Sequence, residues 1–524
     1  MTALAEAHAP APAPQSLFTP VKWVDFQVDD AVRAYLRRGI MAVWDTGIGK
    51  SALSLAIGCL GLGEGAIDNI IIICEQNKLK EWPGEVLKHT QITSVGVYHG
   101  PKRKKMLGDL PTVVVSSYET WRNDAVHFIT KTKYEDGPLI AAFQGRRVVV
   151  VYDEIAKLGN RGNQLYKAHF RTMTRLRKLH PEIIVVGLTA TPFDAGAYEQ
   201  FFSEMRLVCP AAMPTCKMFE DKVIRSRDPW GRANYDREGV EWFRQLCEPW
   251  ISRRRKTDPE VREHFPAFTE QFVTAQMHAD QRGIYQRLED LAWDEQGNHV
   301  DVPGLAILLR QLAGDPWAIR YAAEHGSSPL AKMVWQTLGP ELEKCSSAKA
   351  ELLQQRYISP IMASGAKMII FTFFSNTVLP ALRDRIKTKA PIFLYQGEMT
   401  KAAKDQALAR FRAHNGPAIL LASDSAARGI NAPEASYAVE YEPALKHSTR
   451  MQRAGRGHRA FSDIPLTFIT MVLEGSVEES RAIPKLMARN AQQDEFFGDT
   501  DAEEFTTAAD RRRMFAMARH RRGA

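Results

Sequence analysis

Apolar residues in this chain gather in short, nearly continuous runs separated by longer stretches with helical spacing. In a first block the runs are IIIIC (Ile70–Cys74), TVVVSS (Thr112–Ser117), VVVVYDE (Val148–Glu154) and IIVVGLTAT (Ile183–Thr191). Val/Ile runs of this length, without polar alternation, predict parallel strands buried on both faces, with helices as the crossovers. A second block repeats the pattern with KMIIFTFF (Lys367–Phe374), PIFLYQG (Pro391–Gly397), AILLAS (Ala418–Ser423), YAVEYE (Tyr437–Glu442) and LTFITMV (Leu466–Val472). The expected fold class is therefore α/β, with two parallel sheets.

Between the blocks, over 209–345, the chain turns Trp-, Arg- and Glu-rich with helical spacing and few strand runs, which predicts a helical insertion. The expected division is a disordered Ala/Pro-rich leader (1–20), a first lobe (21–208), the insertion (209–345), a second lobe (346–492) and a charged, flexible tail (493–524). No internal repeat of the solenoid kind is visible.

Composition narrows the classes without choosing among them. The hydrophobic share of 45% and charged share of 25% are those of an ordinary soluble globular chain. A net charge of +8 is compatible with a polyanionic partner but does not require one. Six scattered cysteines, with no C-x-x-C pair, speak against a zinc site or a disulfide framework and fit a cytoplasmic or other reducing compartment. No run reaches the roughly 18 apolar residues of a membrane span, and the N-terminus lacks the pattern of a signal peptide.

Candidate chemistry begins at WDTGIGKS (Trp44–Ser51), inside GIMAVWDTGIGKSALSLAIG. It reads as a strand, a glycine-containing turn and a helix starting near Lys50. Helix N-terminal N–H groups favour phosphate, Lys50 adds a point charge, and Ser51 offers a hydroxyl to Mg2+. Trp44 stands where the general phosphate-loop pattern has glycine, so a chance turn remains open from these residues alone. VVVVYDE then ends an apolar run on two carboxylates, Asp153 and Glu154. A carboxylate at such a strand end can hold Mg2+, and the next can polarise water; the bland alternative is a solvated strand-ending turn. QRAGRGHR supplies Arg453, Arg456 and Arg459. Spaced by three, Arg456 and Arg459 are expected on one helical face, aimed at one anion, unless the run is merely a solvated basic surface.

In this order the elements resemble superfamily-two nucleic-acid helicases and translocases, and more narrowly the Swi/Snf-type ATPases, from about Val24 to Gln493. Phe26-Gln27 resembles the family's glutamine motif, and WDTGIGKS its D-E-M-G-L-G-K-T. EWPGE (Glu81–Glu85) resembles N-W-x-x-E, DEIAKLGN (Asp153–Asn160) D-E-A-H-R-L-K-N, and LTATPF (Leu188–Phe193) L-T-G-T-P. ISRRRKTDPEV resembles the L-R-R-x-K boundary, while IIFTFFSNT, YQGEMT, ASDSAARGIN, QRAGRGHR and GSVEESRAIPKL stand in the places of the second lobe's motifs.

The resemblance implies two RecA-like lobes and an enzyme hydrolysing ATP with Mg2+ in the cleft between them, coupled to movement along nucleic acid, most of all duplex DNA. It implies that Gln27 recognises adenine and that Thr46, Gly47, Ile48, Gly49, Lys50, Ser51, Ala52 and Gly429 bind nucleotide. Ser51 and Asp153 would hold Mg2+. Lys50, Asp153, Glu154, Gln452, Arg456 and Arg459 would carry the chemistry, with Thr189, Ala190 and Thr191 coupling it to lobe movement.

Three departures from the family pattern stand out, the first being Asp194, which follows T-P-F where the family often has a polar amide nearby. QRAGRGHR combines the Swi/Snf pattern with the general helicase Q-R-x-G-R-x-x-R, which leaves a strand-separating DNA or RNA helicase as the runner-up. Ala156 stands where the family has His or Asp, the sole support for a non-catalytic ATP-dependent clamp. RRRK (Arg253–Lys256) reads equally as a phosphate contact or as a hinge or lobe-surface segment, and the basic tail (Arg511–Arg513, Arg519–Arg522) more as a disordered solubilising end than as a DNA-binding extension. Trp242, Trp250 and Trp317 read as core residues. No targeting module is recognisable, so choice of target is expected to fall to the insertion, the tails or a protein partner.

Overall fold

The computed structural model of the 524-residue chain describes residues 23–497, apart from 131–132, 194–197, 230, 232, 295–299, 425–429 and 461. Two compact units form: the first runs to Val261 and takes in Phe496 and Phe497, and the second runs from Arg262 to Glu495.

The first unit is built on a seven-stranded sheet. Its strands are β1 (Gly39–Trp44), β2 (Asn69–Cys74), β3 (Val95–Tyr98), β4 (Val113–Ser117), β7 (Val148–Asp153), β8 (Ile184–Thr189) and β11 (Ile251–Arg254), whereas β5 (Val126–Phe128) and β6 (Tyr134–Asp136), and likewise β9 (Ile224–Arg227) and β10 (Ala233–Tyr235), form separate two-stranded ribbons. The sheet order is β11-β1-β8-β7-β2-β4-β3 and every pairing is parallel. β1, β2, β4, β7 and β8 are buried at every position, as their uninterrupted apolar runs require. Each enclosed Val or Ile side chain contributes about 1.5–3 kcal/mol.

The second unit has a six-stranded sheet of β12 (Phe268–Ala275), β13 (Lys367–Thr372), β14 (Ile392–Tyr395), β15 (Ala418–Ser423), β16 (Tyr437–Glu440) and β17 (Leu466–Leu473). Its order is β12-β17-β16-β13-β15-β14, again wholly parallel.

The stretch 209–345 is helical in large part but is not one body. Residues up to Val261 belong to the first unit, and those from Arg262 to the second. It also gives each sheet an edge strand, β11 and β12. At the far end, regular helix continues to Phe497, past the expected start of the tail at 493. The leader (1–20) and the basic residues of the tail lie outside the described residues. Among the described residues no helix is long and apolar enough to cross a membrane.

Candidate nucleotide site

Parallel pairing places the C-terminal ends of β1, β8 and β7 on one edge of the first sheet, and ligands of open α/β sheets bind outside that edge. β8 lies between the other two, so the loop after β1 and the carboxylates ending β7 are two strand spacings apart, about 10 Å. In register, Thr189 pairs with Val43 and Leu188 with Asp153. Thr189, Ala190 and Thr191 are therefore inserted, nearly fully buried, between the loop and the carboxylates. Thr191 N–H donates to Thr189 Oγ1 at 3.1 Å, closing that turn on itself.

The glycines explain the loop's shape. Gly47 and Gly49 have φ of 90° and 103°, values that L side chains rarely adopt. Gly49 is the residue before the helix Lys50–Gly63, which has no side-chain N-cap; that arrangement offers the first-turn N–H groups to an anion. A Cβ at Gly49 would lie 2.5 Å from Gln27 Nε2, and that amide donates to Ile48 O at 2.9 Å. Gln27 is thus seated directly on the loop. Trp44 ends β1 fully buried, so the residue that breaks the general pattern belongs to the sheet beneath the loop. Lys50 Nζ donates to Trp44 O at 2.7 Å and Asp45 O at 3.2 Å. Burial lowers the Lys50 pKa below the usual lysine value, and nearby Glu154 is the largest opposing influence. Ser51 and Ala52 occupy the first turn of the helix.

Asp153 is 6% exposed and heavily held. Its Oδ2 accepts from Trp82 Nε1 at 3.0 Å and from Lys78 Nζ at 3.1 Å, and its Oδ1 lies 3.4 Å from the same ammonium. Tyr118 OH donates to its backbone oxygen at 2.9 Å. Glu154 follows in the left-handed region at φ 59°, one of two non-glycine residues with positive φ among the described residues. Its Oε1 is 4.0 Å from Lys78 Nζ. Ala156 sits in the short 3-10 turn Ile155–Leu158, where a methyl group can make no polar link to neighbouring segments. A hydroxyl (Ser51) and carboxylate oxygens are the hard donors Mg2+ takes, and Lys78 shows positive charge already accommodated beside them. Among the described residues no group of three or more His, Cys, Asp or Glu could hold a metal.

The RRRK segment packs against the strand that carries the loop. β11 pairs with β1, Trp44 opposite Arg254. Trp44 Nε1 donates to Ser252 Oγ at 2.7 Å, and Ser252 Oγ to Asp30 Oδ2 at 2.6 Å. Arg254 Nε donates to the same carboxylate at 3.0 Å, and Arg33 Nη2 to its other oxygen at 2.7 Å. Asp45 accepts from the Lys256 backbone N–H at 3.0 Å and lies 3.5 Å from Arg253 Nη1. Arg255 is engaged by Asp258 at 2.9 Å.

In the second unit, QRAGRGHR differs from the expected helical face. The helix His447–Ala454 stops at Gly455, and Arg456 and Arg459 follow in the turn and irregular chain beyond it. Regular helix thus ends before either arginine, and the expected helical face is not what carries them. Arg456 Nη1 donates to Ile430 O at 3.3 Å, and both arginines are half-buried, as is Gln452. Arg453 is fully buried, donating to Asp424 Oδ1 and Glu440 Oε1 at 2.7 Å each and to Glu442 O at 2.8 Å. Its role is to tie β15 and β16 together. Gly429 lies outside the described residues.

Reading the sequence alone missed Lys78 and assigned Trp82 no partner, although EWPGE had been singled out. It also missed β11 and therefore the service of Ser252, Arg253 and Arg254 to the loop. A buried Trp at the end of a strand, needing a partner for its N–H, was the available signal for Ser252.

Fold and site together define a two-sheet α/β chain with a phosphate-loop arrangement at one sheet edge. The chain belongs to the SNF2-related domain family, which it matches over residues 31–312, and it matches the helicase conserved C-terminal domain over 348–461. It is 21% identical over 412 residues to the putative ATP-dependent helicase/translocase YwqA of Bacillus subtilis (strain 168), covering 78% of this chain and 41% of that relative. The chain thus spans less than half of that protein's length. The Hef helicase domain of Pyrococcus furiosus has a similar fold, with a TM-score of 0.53 at 14% identity over 87% of this chain and 96% of that one. The Sulfolobus solfataricus SWI2/SNF2 ATPase core in complex with dsDNA aligns with a TM-score of 0.42 at 19% identity over 94% and 98% of the two chains.

Proposed function

We propose that this chain is an ATP-hydrolysing motor that moves along duplex DNA. The observation that carries the reading is the carboxylate pair on the sheet edge that also bears the glycine loop. Asp153 is fixed by Trp82, and Glu154 is held in a left-handed backbone conformation. A non-glycine residue there costs about 1–3 kcal/mol and is retained where surrounding structure enforces it, commonly at functional sites.

In this reading the Thr46–Ala52 loop and Lys50 take the phosphates, while Gln27, which already touches the loop at Ile48, reads adenine. Ser51 and Asp153 hold Mg2+, which when bound neutralises phosphate charge. Glu154 orients and polarises the attacking water. Thr189, Ala190 and Thr191, packed between loop and carboxylates, transmit the state of one to the other. Gln452, Arg456 and Arg459, with Gly429, are the second unit's contribution to nucleotide binding and to stabilising charge on the transferring phosphoryl group. A protein partner supplies targeting.

Motion along duplex DNA is supported by membership of the SNF2-related family and by the ordered Swi/Snf-like motifs. Displacement of a triplex-forming strand from duplex DNA tests it. ATP-dependent displacement without duplex separation is expected, whereas separation of a tailed duplex supported best by single strands would replace this reading with a strand-separating helicase.

A further inference from the structure

Asp153 and Glu154 are adjacent carboxylates at the rim of a buried strand, and their positive neighbour within hydrogen-bonding reach is not the loop lysine. Lys50 Nζ is occupied with Trp44 O and Asp45 O. The neighbour is Lys78, from the short turn Gln76–Lys78 that follows β2. Its ammonium lies 3.1 and 3.4 Å from the two Asp153 oxygens and 4.0 Å from Glu154 Oε1. It is therefore placed where a cation serving both carboxylates would be drawn.

The two groups that grip Asp153 differ in how easily they can leave. Trp82 is 2% exposed, has two side-chain torsions, and is carried on the helix Trp82–His89. Lys78 hangs on a flexible four-carbon stem and its side chain is 23% exposed, so it can withdraw to water at small cost. Trp82 and Lys78 share Oδ2, and Oδ1 is met only by the longer lysine contact among the bonds described. Withdrawal of the lysine would leave Trp82 orienting the carboxylate with Oδ1 available to a harder cation.

We propose that Lys78 is an internal counter-ion for the metal-binding carboxylates, holding Asp153 and Glu154 while the site lacks nucleotide and exchanged for Mg2+ when nucleotide arrives. The inference rests on the nucleotide-site reading above. It makes loading a cation exchange: the divalent ion competes with a tethered ammonium, and phosphate oxygens tip the balance by completing the shell that Mg2+ demands. Lys78 is on this account a positioning residue with no contact to phosphate.

The experiment is binding of a fluorescent ADP analogue, methylanthraniloyl-ADP, to the full chain across a range of Mg2+ concentrations. Wild type is compared with Lys78→Met, Lys78→Arg and Lys50→Ala. Removing a partly exposed competing ion pair should lower the half-saturating Mg2+ concentration of Lys78→Met by roughly 2- to 5-fold. Its analogue affinity at saturating Mg2+ should match wild type, and Lys78→Arg should keep the wild-type half-point. A half-point unchanged or raised in Lys78→Met overturns the proposal. So does a loss of affinity at saturating Mg2+ like that of Lys50→Ala, which would make Lys78 a phosphate ligand. Wild type failing to bind, or Lys50→Ala binding as well as wild type, defeats the nucleotide-site reading instead. Should Lys78→Met not fold, as judged by its circular dichroism, a crystal structure of wild type with MgADP decides. Lys78 Nζ beyond hydrogen-bonding distance of Asp153 is expected there, and an intact Lys78–Asp153 contact contradicts the exchange.

Discussion

The Trp44 indole N–H donates to the Ser252 hydroxyl at 2.7 Å, joining two residues 208 positions apart. It ties the strand that launches the glycine loop to an edge strand near the end of the first unit. Ser252→Ala leaves a fully buried N–H without its acceptor and Asp30 without one of its donors. An unsatisfied buried donor costs about 1–3 kcal/mol. Denaturant unfolding should show a loss of that size, and affinity for an ATP analogue should fall with it because the loop loses its anchor.

Gly49→Ala tests the loop itself. The backbone there has φ 103°, and the added methyl carbon would stand 2.5 Å from the Gln27 amide. Analogue binding should be lost or reduced at least about tenfold, equivalent to about 1.4 kcal/mol. Removing the clash with Gln27→Ala should not restore it, because the backbone strain remains; full recovery in the double variant would contradict the role assigned to this glycine.

The arginines of QRAGRGHR separate into two kinds. Arg453→Met strands Asp424 and Glu440 beside a lost buried charge, and breaking such a pair typically costs about 3–5 kcal/mol. Its signature is a lower unfolding midpoint. Arg456→Ala, from a half-buried position beyond the helix end, should leave the midpoint nearly unchanged while ATP turnover falls. The reverse pattern would show the assignment to be wrong.

How plainly the sequence carries these features depends on the kind of force that defines them. The buried strands were legible because a parallel strand covered on both faces needs an unbroken apolar run, as in VVVVYD. β11 was not, since ISRR sits at a sheet edge and its arginines are satisfied by Asp30, Asp45 and Val43 O rather than by solvent. The loop glycines and the Asp153–Glu154 pair are local in sequence and were found. Lys78 lies 75 residues from Asp153 in a charged, aperiodic stretch, and only folding of β2 beside β7 brings them together. The helix His447–Ala454 shows the opposite case, since spacing by three suggests a helical face but regular helix ends before Arg456.

A pH dependence follows from Glu442 in the second unit. Its Oε2 accepts from the Phe373 N–H at 2.8 Å, and burial pushes its pKa up to about 7, with Lys349 opposing the shift and Glu478 adding to it. A carboxyl whose folded pKa exceeds its unfolded value, about 4.3, favours the fold below that unfolded value. This contribution is lost as pH rises through about 7. Glu442→Gln, which keeps an acceptor for Phe373, should therefore flatten the stability profile over that window. Its advantage over wild type should grow with pH, by a few kcal/mol in order of magnitude; parallel profiles for the two proteins would contradict this.

The chain is expected to hydrolyse ATP in response to duplex DNA through Glu154. ATP turnover should be measured with double-stranded DNA, single-stranded DNA and RNA, for wild type and Glu154→Gln. Duplex DNA should raise wild-type turnover most, and Glu154→Gln should bind the ATP analogue yet lose about 10²- to 10⁴-fold in turnover. Turnover that ignores all three nucleic acids, or that survives Glu154→Gln unchanged, would contradict the account.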